Sequence, residues 1–203
     1  MAVTALGLYL IFAVLGFGWR SWTQYRHTGS TGFRGIHGRP GSLQWLAGVG
    51  FIAAILAGAA APLLQLLDIL APISVLDATW IHTTGTMAAV AGIAATVYAQ
   101  RDMGQSWRIG VDPSETTTLV RHGAFALVRN PIFTAMLIFA AGITLMTPNP
   151  LALAAFLVLL VTIELQVRVV EEPYLNAVHG RAYRDYCGAV GRFVPHIGRS
   201  LTV

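Results

Sequence analysis

The chain has 203 residues, of which 55% are hydrophobic and only 11% charged, against about 25% charged in soluble domains; a water-soluble globule is excluded. All thirteen basic residues are arginine, and they fall in short clusters, so the formal charge of +4 reads as membrane orientation rather than nucleic-acid binding. The single cysteine, Cys187, excludes a disulfide scaffold and a cysteine-based zinc cluster.

Four stretches carry no charge: residues 1–19, 40–67, 78–100 and 130–163. Crossing a hydrocarbon core of about 30 Å takes about 20 helical residues. Residues 1–18 are just long enough, and no Lys or Arg precedes their apolar run, so the secretory pattern fails and a retained first helix is expected. Residues 42–67 and 78–100 supply one crossing each. The fourth stretch is too long for a single crossing and is interrupted by Thr147-Pro148-Asn149-Pro150, a strong turn signal. It predicts a tight hairpin with two short legs. The expected fold is an all-α polytopic membrane bundle of about five transmembrane helices, one domain over residues 1–203, with no internal repeat, low-complexity tract or soluble second domain.

Arginine placement orients the bundle. Arg20, Arg26, Arg34 and Arg39 follow the first span; Arg101, Arg108, Arg121 and Arg129 follow the third; Arg168, Arg181, Arg184, Arg192 and Arg199 occupy the tail. An odd number of crossings with every arginine on one side places the N-terminus outside and a helical C-terminal segment in the cytoplasm. Small residues such as Ala88 with Gly92, and Ala91 with Ala95, lie four apart in the third span and allow close helix packing. Trp19, Trp22, Trp45 and Trp80 lie near span ends, as in an interfacial belt.

Two segments could carry chemistry. Glu164, Arg168, Glu171 and Glu172 share one face of a continued fifth helix, as an ion-pair ladder or as the wall of a polar site. Pro173 would end or kink that helix. Residues 119–133 join a threonine-rich approach to the fourth span, with Gly123 permitting a turn and Pro131 starting the helix. Arg129 and Asn130 then sit where helix N-terminal N–H groups suit a ligand carboxylate, or simply cap the span. His82 with Thr83, Thr84 and Thr86 reads as an interhelical hydrogen-bond set or a cavity lining, and Cys187 as inert.

Residues 119–133, followed by Arg168-x-x-Glu171-Glu172-x-x-Leu175, then Gly180-x-x-Tyr183-x-x-Tyr186 and Arg192-Phe193-x-Pro195, resemble the isoprenylcysteine carboxyl methyltransferase and phospholipid methyltransferase superfamily over roughly residues 104–195. The resemblance implies an integral-membrane enzyme using S-adenosylmethionine without a Rossmann domain, and no Gly-x-Gly-x-x-Gly occurs in the chain. The family's cofactor-contacting His-Thr-Leu-Val run corresponds to Thr117-Thr118-Leu119-Val120, with the histidine replaced. Its following aromatic corresponds to Phe125. Its Arg-His-Pro-x-Tyr motif corresponds to Arg129-Asn130-Pro131-Ile132-Phe133, with Asn for His and Phe for Tyr. Its cofactor-binding glutamate matches Glu171 or Glu172, and its substrate-side arginine matches Arg168. Trp107-Arg108-Ile109-Gly110 resembles the stretch that precedes the motif in bacterial members.

The resemblance therefore implies methyl transfer to a lipophilic or amphiphilic acceptor at the membrane–cytoplasm interface, with membrane lipids as surroundings and no nucleic-acid partner. A neutral acceptor would need a base such as His122, Glu164 or a water. Two other readings stay open: an NADPH-dependent membrane reductase of sterol-like double bonds, whose tail pattern is similar, and a non-enzymatic membrane subunit or small transporter.

Overall fold

The computed structural model describes residues 1–33, 35–36, 38–107 and 118–199. Among these residues there are seven helices and no strand, which agrees with the all-α expectation. They are α1 (Ala2–Thr28), α2 (Leu43–Leu66), α3 (Thr79–Met103), α4 (Ala124–Leu127), α5 (Pro131–Met146), α6 (Pro150–His179) and α7 (Arg181–Ala189). By length and composition α1, α2 and α6 could each cross a membrane. Helix α5 is apolar but has 16 residues, about 24 Å at 1.5 Å per residue. Helix α3 has 25 residues but is less apolar, its first turns carrying His82 and several threonines.

Local chemistry explains the boundaries. Ser42 accepts from the Trp45 N–H and starts α2. The predicted turn at residues 147–150 is present, with Thr147, Pro148 and Asn149 buried: Asn149 Oδ1 caps α6 through the Ala152 N–H at 2.9 Å, and Asn149 Nδ2 donates to the Ala61 carbonyl and to Gln65 Oε1. Pro150 follows at the first helical position, where its missing N–H costs nothing. The hairpin thus forms as expected, but its second leg is not short. Helix α6 runs for 30 residues through Pro173, because it loosens to π-helical spacing over Gln166–Glu171 just ahead of the proline.

The first helix departs from expectation in the same way. It passes Gly18 without stopping, adopts π spacing over Val14–Trp19 and continues to Thr28. Beyond it glycine recurs at every third position, 29, 32, 35, 38 and 41, each with positive φ. That short periodic run corrects the reading of a chain without repeats. One position shows why glycine is required: a Cβ on Gly32 would lie 2.9 Å from the buried Trp107 ring, and φ of +78° disfavours any other residue.

Helices α3 and α5 form the closest contact. A Cβ on Gly85 would stand 2.7 Å from the Gly142 carbonyl oxygen, one on Gly142 would stand 2.4 Å from the Ala89 nitrogen, and one on Gly92 2.6 Å from the Phe139 nitrogen. The packing face of α3 is therefore Gly85, Ala89, Gly92. Ala91 and Ala95 are exposed and Ala88 is only half-buried, so of the expected small-residue pairs only Gly92 lies in the contact. Thr83, Thr84 and Thr86 bond carbonyls one turn back within α3 rather than across helices. His82 instead lies 3.2 Å from Asp77.

Candidate active site

The link between the two sequence segments is built on Arg129. Val128 forms an isolated parallel bridge with Gly191, and the Arg129 and Asn130 N–H groups donate to the carbonyls of Gly191 and Arg192. This lays residues 190–199 along the chain just ahead of α5. The Arg129 side chain is 2% exposed. Its Nη1 donates to the Cys187 and Val190 carbonyls at 3.0 and 2.7 Å, and its Nη2 to Glu172 Oε1 and the Gly198 carbonyl at 3.0 and 3.1 Å. Four of the five guanidinium N–H groups are thereby used. The fifth, on Nε, is buried without a partner among the described residues.

Glu172 is the centre of this clamp. Its Oε1 also accepts from Arg192 Nε at 2.7 Å and its Oε2 from Arg192 Nη2 at 3.0 Å, a bidentate fork of the strong kind. The hydrogen bonds and charge of Glu172 push the Arg192 guanidinium above its ordinary pKa. Arg192 also presents its carbonyl to Asn130 Nδ2, and the Phe193 carbonyl accepts from the Thr134 hydroxyl at 2.9 Å. The Arg192-Phe193 motif therefore ties the tail to the start of α5.

Above the clamp lies a cavity of about 220 Å³ between α1, α3, α5, α6 and the segment from Thr118. Nine of the ten expected site residues line it: Thr118, Leu119, Val120, Phe125, Arg129, Asn130, Phe133, Glu171 and Glu172. The cavity thus draws its lining from segments more than 35 residues apart. Thr117 and the Arg108-Ile109-Gly110 stretch lie outside the described residues. Gly123 holds the near side of the wall, since its φ is +58° and a Cβ there would lie 2.1 Å from Asp102 Oδ2. That carboxylate accepts from the Ala124 N–H at 2.7 Å and anchors α4.

Arg168 stands apart. It is exposed, pairs with Glu164 and does not line the cavity. The four charged residues do not act as one face, because π spacing brings position i against i+5 rather than i+4. Gln166, not Arg168, reaches Glu171, with Nε2 3.5 Å from Oε1. His122 is exposed and, like Glu164, lies off the cavity.

The expected opening for a carboxylate at Asn130 is also altered, since the Arg129 and Asn130 N–H groups are taken by the tail. Those of Ile132 and Phe133 remain, without intrahelical partners by helix geometry; both residues line the cavity.

Sequence reasoning missed the other half of the lining. Gly16 and Phe17 come from the π turn of α1 and Phe12 from the turn before it, and Thr96, Gln100 and Met103 continue the packing face of α3 into the cavity. Tyr183 and Tyr186 line it from α7, and the Tyr186 hydroxyl donates to the Phe125 carbonyl at 2.5 Å. Burial pushes the Tyr186 hydroxyl up to about 12 and the Tyr183 hydroxyl higher still. Burial likewise raises Cys187 above an ordinary thiol, which favours its neutral form. The only sequence signal for these residues was the tyrosine spacing in the tail.

Comparison with known proteins places the same segments in context. Residues 80–182 match the phospholipid methyltransferase family. Protein-S-isoprenylcysteine O-methyltransferase A of Arabidopsis thaliana is 30% identical over 120 residues, 58% of this chain and 61% of that protein. Protein-S-isoprenylcysteine O-methyltransferase B of the same plant is 28% identical over the same extent. A probable protein-S-isoprenylcysteine O-methyltransferase of Oryza sativa subsp. indica is 34% identical over 79 residues, 39% of this chain and 41% of that protein. The match to these curated relatives thus spans 61% of their length or less.

Proposed function

Because the chain belongs to the phospholipid methyltransferase family, we propose that it transfers a methyl group from S-adenosylmethionine to a lipophilic or amphiphilic acceptor at the cytoplasmic face of a membrane. The observation that carries the reading is the meeting of residues 118–133 with Glu171 and Glu172 around one cavity. Membrane placement completes it: α3 and α5 join the three long apolar helices to give five crossings, with the N-terminus outside and α7 and the tail in the cytoplasm.

The residues fit the cofactor. Its sulfonium supplies an electrophilic methyl group. Glu171 presents a carboxylate to the amino or ribose hydroxyl groups, while Glu172, with both oxygens engaged by Arg129 and Arg192, acts as the clamp that positions the wall. The N–H groups of Ile132 and Phe133, together with the unpaired Arg129 Nε, suit the carboxylate end. Leu119, Val120 and Phe125 give the adenine an apolar surface. Burial among Phe12, Phe17, Phe133 and Met136 keeps water from the reacting pair, and displacement in line gains chiefly from such positioning and desolvation.

Among the described lining residues there is no histidine, so an acceptor that arrives as an anion needs no base from this wall. A lipophilic acid methylated on oxygen is therefore the acceptor we favour, in keeping with the O-methylation named in the relatives. Arg168, off the cavity, is assigned to the membrane border, outside cofactor binding.

The test is calorimetric titration of S-adenosylhomocysteine into the purified protein. Micromolar binding that is lost in Glu171→Ala and Glu172→Ala supports the reading. Wild-type affinity in both variants removes the site assignment, and binding of NADPH in its place returns the protein to the reductase reading.

A further inference from the structure

Most threonines inside these helices follow a rule: Thr83, Thr84, Thr86, Thr144 and Thr162 each turn the hydroxyl to the carbonyl four residues earlier, at 2.8 or 2.9 Å. Thr96 breaks it. It lies in the interior of α3, is 1% exposed, and its Oγ1 has no hydrogen-bond partner among the described residues. Its methyl carbon faces α1, 3.8 Å from where a Cβ on Gly16 would be, and the residue lines the cavity. One turn further on, Gln100 is 5% exposed, lines the same wall and donates from Nε2 to the Gly16 carbonyl at 2.8 Å. The amide holds the π turn of α1 in place beside the hydroxyl. Leaving a buried hydroxyl unpaired is costly, and valine would fill the same space without that cost. A hydroxyl kept there is accounted for by a ligand atom that pairs with it.

The surroundings say which ligand. Thr96 belongs to the wall that α1, α3 and α5 build with Phe12, Phe17 and Met136. The charged groups Arg129 and Glu172 belong to the wall built with the tail. A zwitterionic cofactor takes the charged wall, so the occupant of the apolar wall is the acceptor. We propose that Thr96 is a specificity-determining hydrogen-bond donor, and that the acceptor is a hydrocarbon-rich molecule carrying a carbonyl or ether oxygen part way along its body. This rests on the cofactor assignment proposed above.

The experiment uses the whole protein in nanodiscs, with a dansyl-labelled fatty acid displaced by stearic acid and by a series of oxo-stearic acids differing in carbonyl position. The expected result is that at least one oxo acid competes fivefold or more better than stearic acid in the wild type. That advantage disappears in Thr96→Val and persists in Thr96→Ser, while the ligand-free Thr96→Val protein melts no lower than wild type. A wild type that ranks oxo and plain acids alike, or a Thr96→Val variant that keeps the wild-type ranking, overturns the proposal. S-adenosylhomocysteine titrated in parallel binds Thr96→Val within twofold of wild type; loss there with the oxo preference intact assigns the hydroxyl to the cofactor and also overturns it. An oxo preference in a wild type that binds no S-adenosylhomocysteine removes the cofactor reading and leaves the subsite standing.

Discussion

The two halves of α3 present one continuous helix face under opposite conditions. From Gly85 through Ala89 to Gly92 that face is pressed against the α5 backbone, with no space for a single carbon. From Thr96 through Gln100 to Met103 the same face borders open volume, and it carries the unpaired hydroxyl. Small residues are needed only in the first half, where backbone contact replaces the hydrophobic drive that lipid removes. The difference teaches that the bundle gains its rigidity at one end and keeps its binding capacity at the other.

The largest effect is expected in the closed half. Gly142→Val should cost about 3 kcal/mol or more, since overpacking against backbone cannot relax by a change of rotamer; loss of monodisperse protein on size exclusion is the readout, and a normal melt would break the comparison. Next is Glu172→Gln, which leaves Arg129 and Arg192 without a carboxylate. The ion pairs are partly exposed, so about 2 kcal/mol is expected rather than the larger cost of a fully buried pair, seen as a lower melting temperature and faster proteolysis of the tail.

Glu171→Gln should act on binding: about tenfold weaker S-adenosylhomocysteine, equivalent to about 1.4 kcal/mol. Gly16→Ala sharpens the contrast, because the nearest atoms to its Cβ are at ordinary contact distance, 3.8 Å. Thermal melting should stay level or rise, by less than about 1 kcal/mol in stability, where Gly92→Ala should fall. Last, Arg168→Ala should leave cofactor affinity within twofold; a larger loss would bring Arg168 back to the site.

What could be read from the sequence was local or pairwise. Thr147-Pro148-Asn149-Pro150 announced the hairpin because turn chemistry is written in neighbouring residues, and residues 119–133 with Glu171 and Glu172 announced the wall through resemblance. The packing face of α3 was not legible: alanine and glycine occur around much of its circumference, so spacing alone could not prefer Gly85, Ala89 and Gly92 over Ala91 and Ala95. The π turns were hidden for a related reason. Spacings of three and four imply contact only on an α-helix, and across the looser turn Glu171 meets Gln166, five positions earlier. Arg192 stood in the tail motif, yet nothing in its spacing said that it would grip Glu172. The glycine at every third position after α1, by contrast, lay in plain view.

The shell around Arg129 has a consequence for biosynthesis. The carbonyls of Val190 and Gly198 that hold its guanidinium lie 61 and 69 positions later in the chain, so a translating ribosome completes α5 before those anchors exist. Until they emerge, a cation at the mouth of the nascent hairpin has water or lipid phosphate for company. The pocket is therefore assembled last, by docking of a late-made strap onto helices already synthesised.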